Sequence, residues 1–205
     1  MENKLYSIWL VIICTIIFTL QIIFPQITDQ FALYSNRVLY EPWLLVTSIF
    51  LHGSFEHLFF NMFALALFGI ILESIIGSRN FLIAFFVSGI IASIGAAFFY
   101  PASLGASGAI YGIIGALTAI RPKMTVWVLG VPMPMFVAAV LWALIDLVGM
   151  FEPSGIANAA HLFGLASGVV VGVFFRRKFP ERRIKEEPLS PEEEEAIDYY
   201  IDYNS

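Results

Sequence analysis

Three stretches far apart in the chain hold residues able to share one piece of chemistry. Ser107 stands in Gly105-Ala106-Ser107-Gly108, His161 in Ala160-His161-Leu162-Phe163-Gly164, and His57 and Asn61 in His57-Leu58-Phe59-Phe60-Asn61. A serine hydroxyl is a weak nucleophile until a neighbouring base accepts its proton. An imidazole, which titrates close to working pH, suits that task. The residues therefore read as a Ser–His nucleophilic site, with Ser107 attacking and His161 as general base. Gly105 permits a tight turn and close approach of a substrate. A serine at a helix start also stands among backbone N–H groups that lack intrahelical partners, and these stabilise an oxyanion. His57 and Asn61, four apart on one helix face, add side-chain donors. No Asp or Glu has a comparable position beside His161, so the expectation is a dyad rather than a triad. Asp146 reads as a wet or hydrogen-bonded carboxylate near the outer end of its helix, unpaired with the site by depth. His52 and His57, five apart, do not share a helix face and lack an obvious third ligand, so neither metal nor cofactor is expected.

These residues are embedded in a very apolar chain. Of 205 residues, 59% are hydrophobic and 13% charged, and the mean hydropathy is +0.83. A soluble domain is nearer half apolar and about a quarter charged. The composition excludes an ordinary soluble globule, a disordered chain and a basic nucleic-acid binder. The net charge of −5 belongs to the C-terminal end, where nine of the sixteen acids follow Phe179. The single cysteine, Cys14, excludes an internal disulfide or thiolate metal site and reads as a buried small hydrophobe. Six apolar runs, 5–24, 55–76, 81–99, 107–120, 134–149 and 157–175, are bounded by Pro, Gly and Arg. Spanning a bilayer takes about 20 such residues, somewhat fewer where protein surrounds them. The expected fold is an all-α membrane protein, a six-helix bundle over 1–179 with an acidic appendage at 180–205. The first run is too long for a cleaved signal peptide and has no small-x-small site after it. Residues 26–54, rich in aromatics, read as an interfacial, partly inserted element. Ser190-Pro191-Glu192-Glu193 in the appendage reads as a helix start.

With six spans, ten of the eleven Lys and Arg fall on the side shared by both termini; Arg37 alone falls opposite. The positive-inside rule then places both termini in the cytoplasm. Depth follows from the same count. The fourth run has 14 residues, roughly 21 Å of helix, against a hydrocarbon core of roughly 30 Å. Its cytoplasmic end is set by Arg121, so its start is submerged and the preceding loop dips inward. Irregular backbone at that depth requires surrounding protein or a wet cavity. Counted from the cytoplasmic ends of their own runs, His161 lies roughly 21 Å up and Asn61 roughly 22 Å. Ser107, His161 and the His57/Asn61 pair thus share one level. Ala160, Gly164, Gly168 and Gly172 form a small-residue face on the last run, and Gly108, Gly112 and Gly115 do similar work on the fourth, bringing the two backbones close.

Three of these segments resemble motifs of the rhomboid family of intramembrane serine proteases. They are His52-Gly-Ser-Phe-Glu-His57-Leu-Phe-Phe-Asn61, Gly105-Ala-Ser107-Gly108, and Ala160-His161-Leu-Phe-Gly164-Leu-Ala-Ser-Gly168. They occur in the family's order, and the resemblance covers roughly residues 43–176. It implies Ser107 as nucleophile and His161 as base, with His57, Asn61 and the Ser107 N–H around the oxyanion. It also implies that Tyr111 packs against His161 and that His52 and Glu73 are structural. The family's first loop often carries Trp-Arg, whereas here Trp43 is followed by Leu44, which leaves the usual loop brace unassigned. The implied activity is endoproteolysis of transmembrane segments near their outer end, with membrane proteins and the lipid bilayer as partners and 132–142 as a lateral gate. Two other classes fit polar groups at membrane depth: a catalytically silent relative that binds membrane segments, and a small transporter. Silent relatives generally lack the Ser or the His, and the chain shows no internal repeat of the transporter kind.

Overall fold

The computed structural model describes residues 5–128, 130–151, 155–180 and 199; most of the acidic appendage, with its expected helix start, lies outside them. Each of the six apolar runs forms a helix: α1 (Tyr6–Ile23), α4 (Phe55–Ile76), α5 (Ser78–Phe99), α6 (Ser107–Ile120), α7 (Met135–Gly149) and α8 (Asn158–Arg176). Four of them, α1, α4, α5 and α8, are long and apolar enough to cross a membrane. At 14 and 15 residues, α6 and α7 reach only roughly 21–23 Å. Large apolar side chains such as Ile16, Ile22, Ile145, Val170 and Phe174 point outward on these helices. A soluble monomer rarely exposes so continuous an apolar surface, whereas lipid accepts it.

The helix ends are set locally. Ser54 caps α4, its Oγ accepting from the His57 N–H at 3.1 Å, with Glu56 in the first turn facing the positive end of the helix dipole. Gly77, at φ +79°, closes α4 and opens α5 without a loop. The α5 helix starts three residues before the expected run, because Asn80 bonds the Ile76 carbonyl at 2.7 Å and so seals the junction. The first N–H groups of α1 are met from a distance. The Glu73 carboxylate, on the last turn of α4, accepts from Tyr6 N and Ser7 N, each at 2.8 Å. Orphan N–H groups at a helix start need such partners.

Residues 26–54 fold as α2 (Gln26–Phe31), β1 (Leu33–Tyr34), α3 (Leu44–Thr47) and one 3-10 turn, Ser48–Phe50. This segment folds over the end of the bundle where α4 and α6 begin. β1 pairs antiparallel with β2 (Ala102–Ser103), tying it to the loop that leads into α6. The brace left unassigned by Leu44 is supplied by Arg37. Its guanidinium donates to the Asp29 carbonyl at 2.8 Å and the Gln30 carbonyl at 3.4 Å, capping α2, and grips the Glu41 carboxylate at 2.6 Å. That contact holds the Glu41 carboxyl below its ordinary range.

The approach to α7 is extended: Pro132-Met133-Pro134 lies in β4 (Val131–Pro134), paired with β3 (Thr125–Val128), and α7 starts at Met135, one residue after the start of the expected run. Two prolines at alternate positions suit an extended edge strand, since neither can donate to a ladder. The β-branched spacing of Thr125, Val126, Val128 and Val131 around Gly130 is the sequence signal for this hairpin.

The centre of the molecule is α6. Ten of its fourteen residues are buried, enclosed by α4, α5, α7 and α8, with its own Ile113 and Leu117 in one core with Leu65, Leu72, Phe81 and Phe85. Gly108, Gly112 and Ala116 on α6 face Gly164, Gly168 and Gly172 on α8. A Cβ on Gly164 or Gly168 would run into the carbonyl of Gly108 or Gly112 respectively. The two backbones therefore touch, as small-residue helix faces allow.

Candidate active site

Backbone contact between α6 and α8 fixes the distance between the groups each carries. Gly164 rests on Gly108, so His161, one turn before Gly164, comes level with Ser107. The Ser107 Oγ lies 2.8 Å from His161 Nε2. On the other side of the ring, His161 Nδ1 lies 2.8 Å from Asp146 Oδ1. The Tyr111 ring stacks on the imidazole, with centroids 4.3 Å apart and planes 10° from parallel, and so blocks rotation of the ring. The hydroxyl of Tyr100 accepts the Ala159 N–H at 3.1 Å, satisfying a donor at the start of α8 next to His161.

The expectation that no carboxylate accompanies His161 is overturned. Asp146, 3% exposed, is among the few buried side chains of α7 and faces His161 directly. Depth would have found it. Asp146 lies 12 residues beyond Pro134, roughly 18 Å, within one turn of the level assigned to His161. Neither Asp146 nor Tyr100 was matched to the site from sequence.

The second flank of the site comes from α4. The His57 Nδ1 accepts from the Gly53 N–H at 3.4 Å, which leaves the ring proton on Nε2. Gly105, at φ +125°, lies against that ring: a Cβ there would meet His57 Cε1 at 2.7 Å and Nε2 at 2.8 Å, so only glycine serves. The Gly105 N–H donates to the Ser48 carbonyl at 2.9 Å, holding the loop down as it enters α6. Asn61, buried, spends one amide N–H on the His57 carbonyl at 2.8 Å and has another to offer. His57, Asn61, Ser107, Tyr111 and His161 line one cavity of about 1130 Å³ that opens at the molecular surface. It continues between α4 and α7, where Phe68 meets Trp142 edge to face with centroids 5.9 Å apart. The open cavity expected beside the start of the fourth run is present, with Ser107 and loop residues 100–104 in its lining.

His52 stands behind this flank. It is 2% exposed, its ring edge-on to His57 at 5.2 Å, and its backbone is held by both ends of the Gln21 amide. Burial, and next the nearby His57, push its pKa from 6.5 down to about 4. Between those values an unfolded chain binds a proton that the folded one refuses, so stability falls as pH drops through that window. The loss approaches about 3 kcal/mol. Thermal unfolding in detergent at pH 7 and at pH 4.5 is expected to show His52→Phe losing less stability in acid than wild type. An equal loss in both proteins would exclude His52 as a source of acid lability.

A family model described as the Rhomboid domain matches residues 40–178. YdcA of Bacillus subtilis is 34% identical over 146 residues, covering 70% of this chain and 71% of that protein. Rhomboid protease GluP, also of Bacillus subtilis, is 37% identical over 132 residues, or 62% of this chain and 25% of GluP. Rhomboid protease GlpG of Yersinia pseudotuberculosis is 28% identical over 147 residues, or 70% of this chain and 52% of GlpG. A match across two thirds of the sequence, together with these relatives and a multi-pass helical architecture, means that the chain belongs to the Rhomboid family.

Proposed function

We propose that this protein is an intramembrane serine endopeptidase that cuts transmembrane segments of other membrane proteins near their outer end. The observation that carries the reading is the 2.8 Å contact between Ser107 Oγ and His161 Nε2 in a cavity that water can enter. Ser107 Oγ attacks the scissile carbonyl carbon while its proton passes to His161 Nε2. The His57 Nε2–H, the free Asn61 N–H and the Ser107 backbone N–H stabilise the oxyanion, where preorganised donors lower the barrier most. Gly105 keeps the loop clear of the His57 ring. The imidazolium returns its proton to the leaving amide nitrogen, and water from the cavity releases the acyl group in the reverse sequence.

The substrate enters from lipid through the cleft between α4 and α7. A helix hides its carbonyls, so the segment unwinds at its outer end before it is cut. Residues 1–179 form the membrane domain with six spans, α6 and α7 being the short ones, and 180–205 an acidic tail. Both termini lie in the cytoplasm, which places Arg37 outside and the other ten basic residues inside. The cavity mouth and Ser107 then face away from the cytoplasm.

The test is cleavage of labelled single-span proteins by the purified protein in lipid vesicles, with the cut mapped by mass spectrometry. A cut within the outer part of the span is expected, and helix-destabilising residues at that position should speed it. Absence of any cut across a panel of spans, or movement of a solute across the vesicle wall instead, would overturn the reading.

A further inference from the structure

A buried carboxylate needs a reason, because an ionised group away from water and lacking a partner is strongly disfavoured. Asp146 has one oxygen on His161 Nδ1 at 2.8 Å, and no lysine or arginine is paired with it among the described salt bridges. Its Oδ2 has no hydrogen-bond partner among the described residues. The carboxylate's direct hydrogen bond is to the imidazole, with the Tyr111 hydroxyl its other polar neighbour, and it lies on the side of the ring opposite Ser107. We propose that Asp146 is a positioning residue of the catalytic site, holding His161 with its proton on Nδ1 and balancing the charge the ring acquires during each proton transfer. This rests on the protease reading above.

The arrangement follows from the three helices. With Nδ1–H donated to Asp146, Nε2 is left with a lone pair directed at the Ser107 hydroxyl. When Ser107 Oγ bonds to the carbonyl carbon, its proton moves to Nε2 and the ring becomes a cation. Asp146 keeps its negative charge and takes no proton, so the ion pair exists only while the ring is charged. A contact that strengthens at that stage lowers the barrier without tightening substrate binding. Tyr111 stacks on the same ring and restricts its rotation, so Asp146 and Tyr111 constrain different motions: the carboxylate sets the tautomer and the phenol sets the plane.

Asp146→Asn separates a charge role from a structural one. The amide has the same shape, and its oxygen can still accept from Nδ1–H, but the charge is gone. The expected result is a fall in kcat of about 10²-fold with KM within twofold of wild type. Labelling of Ser107 by a fluorophosphonate, which needs no transmembrane substrate, should slow by a similar factor. Retention of kcat and of the labelling rate within twofold would overturn the proposal. Nitrogen NMR on wild type, labelled at its three histidines, tests the same claim without a variant: His161 is expected to carry its proton on Nδ1, and protonation on Nε2 would overturn the role. Should wild type neither cleave nor label at Ser107, the protease reading itself fails and this inference fails with it.

Discussion

Ser107→Ala is expected to abolish cleavage while leaving the protein folded. In soluble enzymes where a serine and a histidine act as a unit, loss of either costs about 10⁶ in kcat, and loss of both costs little more. The 2.8 Å contact makes the two groups one unit here. The expected set is thus Ser107→Ala, His161→Ala and the double variant, all at the same background rate in the vesicle assay. Ser107 is half-buried at the cavity floor, and an alanine there removes one oxygen without creating a clash. Thermal midpoints in detergent should therefore stay within a few degrees of wild type for Ser107→Ala. A Ser107→Ala protein that still cleaves at a measurable fraction of the wild-type rate would end the nucleophile assignment.

Gly164→Val is expected to abolish cleavage by a different route, through the fold. A Cβ on Gly164 would collide with the Gly108 carbonyl oxygen and come within 2.9 Å of its carbon. These are backbone atoms of a helix packed on all sides, so they cannot swing away as a side chain would. Either α8 withdraws from α6 or the protein does not assemble. Overpacking of this kind costs about 1–3 kcal/mol, and more where backbone is involved. Lipid tails offer no hydrophobic drive to restore the contact, because helix association in a bilayer depends on close packing itself. Withdrawal by even about 1 Å breaks a 2.8 Å hydrogen bond between Ser107 and His161. The measured pattern should be loss of fluorophosphonate labelling together with a lower thermal midpoint, with Gly164→Ala milder on both. A fully labelled, thermally normal Gly164→Val protein would refute the backbone contact as the element that sets the Ser107 to His161 distance.

The sequence carries depth well and rotation poorly, and that accounts for what it revealed. Helix lengths between polar boundaries place Ser107, His161 and Asn61 at one level, and the apolar runs match helices within three residues at either end. The glycine spacing on the last run also announces which of its faces is buried. Nothing in a hydropathy pattern says how α7 is turned about its axis, and α7 is apolar nearly all round. Sequence alone therefore leaves Asp146 facing water or a stray donor, whereas its helix turns it inward onto His161. The Tyr100 contact depends on a loop bending back toward α8, which no periodicity encodes. The β3–β4 hairpin was hidden by short length: eight strand residues give too little alternation to stand out beside long apolar helices. The sequence sets Arg37 apart from the other ten basic residues, but its grip on α2 depends on a short helix that no long apolar run announces.

The Glu73 clamp on α1 bears on how the protein is made. The donors at Tyr6 and Ser7 precede their acceptor by 67 and 66 positions. At ribosomal speeds of about 5–20 residues per second, that separation is a wait of roughly 3–13 s. Until it ends, the first N–H groups of α1 lack this acceptor. Arrival of residue 73 closes the earliest part of the chain onto a later one. A chain ending short of residue 73 has no means of closing this clamp, so the start of α1 is fixed to the end of α4 only once both are made.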